Sequence, residues 1–167
     1  MKLTQFFAAL IVGLLLIACS DDDGDEAPAR AELDQRQSIT LPLTNSTAFA
    51  PTFSFDFSND VNGMSDPDYA ITQMFFGVNN FSGEAETITI TLSIVQTSAS
   101  VTLSPVEIST INNDPSGQNI RFQDNTFFNV INQALADDNE VQIVVSGSVD
   151  AAPSDFELFL RLSGTAE

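Results

Sequence analysis

The side chains able to do chemistry in this chain are almost all oxygen acids and hydroxyls. Its 167 residues hold 23 Asp and Glu and no His. The commonest general base and metal ligand is therefore missing. Lys2 is the only lysine, so Schiff-base and Ser–Lys chemistry are excluded from everything after it. A single cysteine, Cys19, can make neither an internal disulfide nor a Cys-rich metal site. Asp, Glu, Ser, Thr and Tyr69 remain as groups that could act.

Two chemistries need only such groups. Calcium takes six to eight oxygens from carboxylates, amides and backbone carbonyls. Asp60, Asn62, Asp66 and Asp68 lie in the densest acidic stretch beyond residue 26 and are candidate calcium ligands around one loop. No established calcium motif fits them, and Asn and Asp equally serve to bend polar turns. Asp137, Asp138, Asn139 and Glu140 form a second polar cluster. Asp21-Asp22-Asp23-Gly24-Asp25 lacks the alternating spacing and distal Glu of an EF-hand. Glycoside hydrolysis needs two carboxylates, but nothing in the spacing selects a pair. The absence of Trp also leaves sugars without their best stacking platform. The expectation is a non-enzymatic protein that requires no cofactor, with calcium the one candidate ion.

The charge balance narrows the partners. The formal net charge is −18. A surface this negative repels phosphate backbones, which excludes nucleic acid. It favours solubility and attracts cations.

Residues 1–20 read MKLTQFFAALIVGLLLIACS. Lys2 gives a positive start, and Phe6 to Ala18 is apolar throughout. That run is shorter than the roughly 20 residues a spanning helix needs, so it reads as a secretory signal. Leu16-Ile17-Ala18-Cys19 resembles the lipobox of bacterial lipoproteins. The resemblance implies a diacylglyceryl thioether on Cys19 and cleavage before it, leaving 1–18 as a removed signal peptide. Acylation of the new amino terminus would follow, and two or three chains anchor stably where one does not. Ser20, Asp21, Asp22 and Asp23, with Gly24, Asp25 and Glu26, resemble the acidic export signal of surface lipoproteins in the Bacteroidetes. That implies display on the outer face of the outer membrane.

These signals need a body to carry. Residues 19–36 show no apolar periodicity and read as an acidic tether with a reach of about 25 Å. Beyond it, period-two alternation dominates. It appears in SITLPL, TFSFDFS, QMFFGV, TITITLSI, VQIVVSG and DFELFLRLS, and around Pro105 in Val101, Leu103, Val106 and Ile108. Alternation places one face on a core and the other in water. Asn62-Gly63, Ser82-Gly83 and Ala152-Pro153 punctuate the runs. Pro42, Pro51 and Pro105 suggest edges, bulges or strand starts. Residues 37–167 are thus expected to form an all-β domain, an Ig-like antiparallel β-sandwich of about seven strands. One short α-helix is expected near residues 126–136, where Phe127 or Phe128 with Ile131 and Leu135 makes a stripe. Asp124 or Asn125 would cap it, and Asp137-Asp138-Asn139 would end it.

Phe53, Phe55 and Phe57 alternate and are expected in the core. Phe75, Phe81 and Phe159 fall off the alternating rows, and together on a surface they would form an interaction patch. The expected function is a lipid-anchored cell-surface binding or scaffolding module. Its partners would be another envelope protein or a glycan, besides the membrane. A carbohydrate-binding accessory lipoprotein of an outer-membrane glycan uptake system is the alternative, with Tyr69 or exposed Phe as platform. A structural surface subunit is another.

Overall fold

The computed structural model describes residues 29–113 and 120–167. Residues 1–18, Cys19 and the acidic run Ser20, Asp21, Asp22 and Asp23 lie outside the described residues. Two antiparallel sheets pack face to face. One has the strand order β1 (Ala31–Leu43), β10 (Ser154–Ala166), β4 (Tyr69–Gly83), β8 (Ile120–Phe122). The other centres on β9 (Glu140–Val149) and β5 (Thr87–Ile94). β2 (Ala48–Phe49) and β3 (Thr52–Asp56) pair with β9, and β6 (Ser100–Thr102) and β7 (Val106–Glu107) pair with β5. Two helices complete the set, α1 (Ile108–Ile111) and α2 (Asn125–Asp138). Among the described residues no helix is long and apolar enough to cross a membrane.

The alternating runs are the strands. Inward residues Phe53, Phe55, Ile88, Ile90, Leu92, Val141, Ile143, Phe156, Leu158 and Leu160 are all at most 1% exposed. Phe57, just past β3, joins them. The only buried polar residue described is Ser154. Every described acid therefore keeps contact with water, as the cost of an unpaired buried carboxylate requires.

Four features differ from the sequence expectation. Among the described residues the strand count is ten, because Pro51 separates β2 from β3, Pro105 precedes the two-residue β7, and β8 carries no alternating signal. Ile108 opens a helical turn instead of continuing a strand. The tether boundary at 36 moves, since β1 starts at Ala31 and pairs with β10 without interruption to Leu43. β1 is an edge strand whose inward positions include Gln35 and Gln37, so its pattern is weak. Leu33, 1% exposed, fixes its start.

The fourth difference is in β4. Its residues in the core between the sheets are Tyr69 and Ile71, then Met74, Phe76 and Val78, so the phase flips between them. Two irregularities in the β10–β4 register, at Ser163/Gly164 and Asp155/Glu157, each insert one extra residue on β4. Each such bulge moves the following side chains to the opposite face. At the second, Asn80 takes a left-handed conformation, φ 53°. Asn tolerates that better than most residues. The result turns Phe81 inward, where its ring lies 6.4 Å from that of Phe156.

α2 runs from β8 to β9 and thus crosses between sheets. Asp124 caps it by accepting from the Thr126 and Phe127 N–H groups. Asn139 closes it in a left-handed conformation, donating its N–H to the Leu135 carbonyl at 2.7 Å. Phe127, Phe128, Ile131 and Leu135 are buried.

Gly147 marks the tightest approach at the centre of the β9 sheet. A Cβ there would sit 2.1 Å from the Thr89 carbonyl oxygen and 2.8 Å from the Phe49 ring. Backbone cannot give way as a side chain can. Gly147→Ala is expected to cost about 2–3 kcal/mol in urea unfolding. Ser148→Ala, at the exposed neighbouring position, should stay within about 0.5 kcal/mol of the parent.

Candidate functional site

Strand register defines two ends of the sandwich. Ala31, Ala166 and Tyr69 lie side by side at the end where the chain arrives from its N-terminal segment. Leu43, Ser154 and Gly83 lie together at the opposite, distal end. A 13-residue strand separates them, about 40 Å of extended chain.

A cavity of about 550 Å³ opens near the distal end, lined by Phe81, Ala85, Glu86, Thr87, Glu107, Ile108, Ser109 and Asn112. Its size suits a small ligand. The β4–β5 turn forms one wall, and β7 with α1 forms the other. The walls are joined by backbone: the Ile108 N–H donates to the Glu86 carbonyl at 2.8 Å, and Thr87 pairs with Glu107. Asn112 and Asn113 hold the β4 bulge against α1. Their Oδ1 atoms accept from the N–H groups of Phe81 at 3.2 Å and Asn80 at 2.9 Å. The Asn113 N–H returns to the Val78 carbonyl at 2.9 Å. Since Oδ1 of Asn112 is so engaged, its NH2 group is the donor this amide can offer a ligand.

The cavity therefore presents a half-buried ring at Phe81, exposed carboxylates at Glu86 and Glu107, an exposed hydroxyl at Ser109, and an amide donor. Buried Ala85 and Ile108 form its floor. Chemically this suits a compact polyol: a ring to lie against a sugar's C–H face, and acceptors and donors for its hydroxyls. No spacing in the sequence marks the carboxylate pair, because Glu86 and Glu107 are 21 positions apart and reach one cavity only through β5–β7 pairing.

Asp60, Asn62, Asp66 and Asp68 are all exposed along the segment between β3 and β4. Asp60 Oδ2 accepts from the Gln35 side-chain amide at 3.2 Å. Asp66 takes a left-handed turn conformation, φ 52°. The Asp68 N–H donates to the Glu167 carbonyl at 2.9 Å. Among the described residues no three acidic side chains group so as to hold a metal. In the second cluster Asn139 is a helix cap, and Glu140 accepts from the Ser54 hydroxyl and the Gln142 amide.

Tyr69 is no platform: it is 4% exposed, and its hydroxyl donates to Asn139 Oδ1 at 2.6 Å. Burial, with Asp56 and Asp60 nearby, raises its pKa. Phe75 and Phe159 are 5% and 2% exposed, so the three off-row phenylalanines do not form an apolar surface patch. Phe81 alone of these is open to a ligand.

Asp150 sets the shape of the β4–β5 wall. Its Oδ1 accepts from the N–H groups of Glu86 at 2.9 Å and Thr87 at 3.1 Å. Those bonds, Thr87 first, lower its pKa below the ordinary carboxylate value. A depressed folded pKa adds stability above the unfolded value, and that stability is lost as pH falls through the folded pKa. Amide exchange at Glu86 and Thr87 should therefore accelerate at acid pH, beyond the intrinsic trend. Asp150→Ala should accelerate it at neutral pH and abolish the acid dependence, while β9 amides stay protected. No family model, curated protein or solved structure matches the chain, so the functional reading of the cavity rests on its geometry.

Proposed function

We propose that this protein is a non-enzymatic, lipid-anchored binding module of the outer-membrane surface that holds its ligand in the distal cavity. One observation carries the reading: the cavity lies near the end of the sandwich opposite Ala31, where the N-terminal segment joins. A chain anchored through Cys19 and exported by Ser20 to Asp23 would present this end to the surroundings. The sandwich is read as Ig-like in kind, supported by chain crossings between sheets at β4–β5 and β9–β10.

Carbohydrate is the favoured ligand class, as in an accessory to outer-membrane glycan uptake. Phe81, Glu86, Glu107, Ser109 and Asn112 offer the ring-plus-hydrogen-bond set that a sugar requires, and the carboxylates disfavour anionic glycans at this cavity. Binding is preferred to hydrolysis because Glu86 and Glu107 are both exposed. A general acid needs a carboxyl withdrawn from water.

The decisive measurement is a screen of the full-length lipoprotein in detergent against neutral polysaccharides and their oligomers. At least one should bind without release of new reducing ends. Phe81→Ala and Glu107→Gln should each weaken that binding about tenfold, near 1.4 kcal/mol, with melting temperature little changed for Glu107→Gln. New reducing ends would make the protein an enzyme. Mass spectrometry of the native protein should find a Cys19 carrying a diacylglyceryl thioether at its start, and an unmodified N-terminus elsewhere would remove the anchor.

A further inference from the structure

We infer that the outer face of the β1–β10–β4–β8 sheet is a second binding site, made for a thin polyanion such as a polyuronate chain. The chain has only five cationic side chains. Three of them stand in one cross-strand row. Arg36 on β1 faces Arg161 on β10, Arg161 faces Phe75 on β4, and Phe75 faces Arg121 on β8. The row spans the whole sheet, three strand spacings or about 14 Å.

The face beneath is built to hold that row rigid. Phe75 and Phe159 are buried, yet neither belongs to the hydrophobic cluster between the sheets. Phe159 lies across Gly77, where a Cβ would come within 2.5 Å of its ring. The Arg36 guanidinium sits 4.0 Å from the Phe159 ring centroid, and its Nη2 donates to the Asn79 side-chain oxygen at 2.9 Å. A guanidinium stacked this way keeps its charge and its remaining donors. Arg161 is neutralised by a two-pronged pair with Asp34, both contacts at 2.6 Å. Arg121 is exposed and makes no ion pair among the described residues. Among the described residues, positive charge is thus left without an ion pair at both ends of the row, on a chain rich in acids.

The surroundings select the shape of the ligand. Glu32, Asp155 and Glu157 occupy the same face above and below the row. A bulky acidic partner would press its charge against them. A thin chain lying along the row would not, and its carboxylates match the fork of guanidinium donors.

The test is affinity electrophoresis of the full-length lipoprotein in detergent through gels containing sodium polygalacturonate, neutral dextran or sodium polyglutamate. Polygalacturonate should retard the protein at low salt and progressively less as salt rises, and dextran should not show that pattern. Arg121→Gln should weaken the retardation at least fivefold and Arg36→Gln,Arg121→Gln at least twentyfold. Arg30→Gln, off the row, should leave it unchanged. Arg121 is exposed, so its single variant tests the site even if loss of Arg36 disturbs the fold. No retardation of the parent, or equal retardation of Arg121→Gln, would overturn the site. Stronger retardation by polyglutamate would overturn its assignment to a glycan.

Discussion

Everything in this molecule depends on dry contact between the inward faces of two sheets. A single cysteine can form no internal disulfide, so none assists. The contact centres on β9 and β10, consecutive strands that lie at the interior of opposite sheets. β10 is paired along most of its length on both sides, to β1 and to β4. Each fully buried Phe, Leu or Ile in this interface contributes about 1.5–3 kcal/mol. That contact must offset both chain entropy and the mutual repulsion of a chain with a net charge of −18. It does so by excluding every described acid from the interior.

A consequence of the two-layer plan is exposed sheet edge, and asparagine side chains cover one of them. β8 pairs with β4 only over Met74–Phe76. On either side, Asn132 from α2 accepts from the Ile71 N–H, and Asn112 and Asn113 accept from Phe81 and Asn80. A side-chain amide satisfies a strand N–H without extending the ladder, which blunts an edge against pairing with another chain. On the β1 edge, Pro42 and the charged Glu32, Asp34 and Arg36 serve the same end. The asparagines that blunt β4 also fix the bulge that brings Phe81 to the cavity, so edge protection and site construction share residues.

How much of this was legible in sequence follows from that division of labour. Alternation located the core strands, because burial of one face imposes a period of two, and Phe53, Phe55 and Phe57 are core as read. Asp124 and the stripe through Ile131 and Leu135 located α2, because capping and helical periodicity are local. Phe75, Phe81 and Phe159 stood out only as exceptions to the pattern. Their roles are set by bulges at Asn80 and near Gln73, and by Gly77, and these act through cross-strand register that no single segment encodes. β1 was read short because an edge strand buries little. The distal cavity was invisible for the same reason: Glu86, Glu107 and Asn112 come from separate segments joined by pairing and tertiary contact.

The charge of the chain bears differently on its two surfaces. The distal cavity carries carboxylates, so its field agrees with the rest of the protein and repels anions there. A neutral polyol would be indifferent to that field and would be held by ring contact and hydrogen bonds alone. The arginine row opposes the general field, and it can do so only over short range. At physiological ionic strength fields fade over about 8 Å, less than the roughly 16 Å of strand between Arg36 and Ala31. The Arg36 guanidinium stacked on Phe159, and the exposed Arg121, would therefore act on a ligand in contact, while distant acids are screened. Two sites of opposite sign could coexist on one small sandwich because six residues of β4, about 20 Å, separate Phe75 in the row from Phe81 in the cavity.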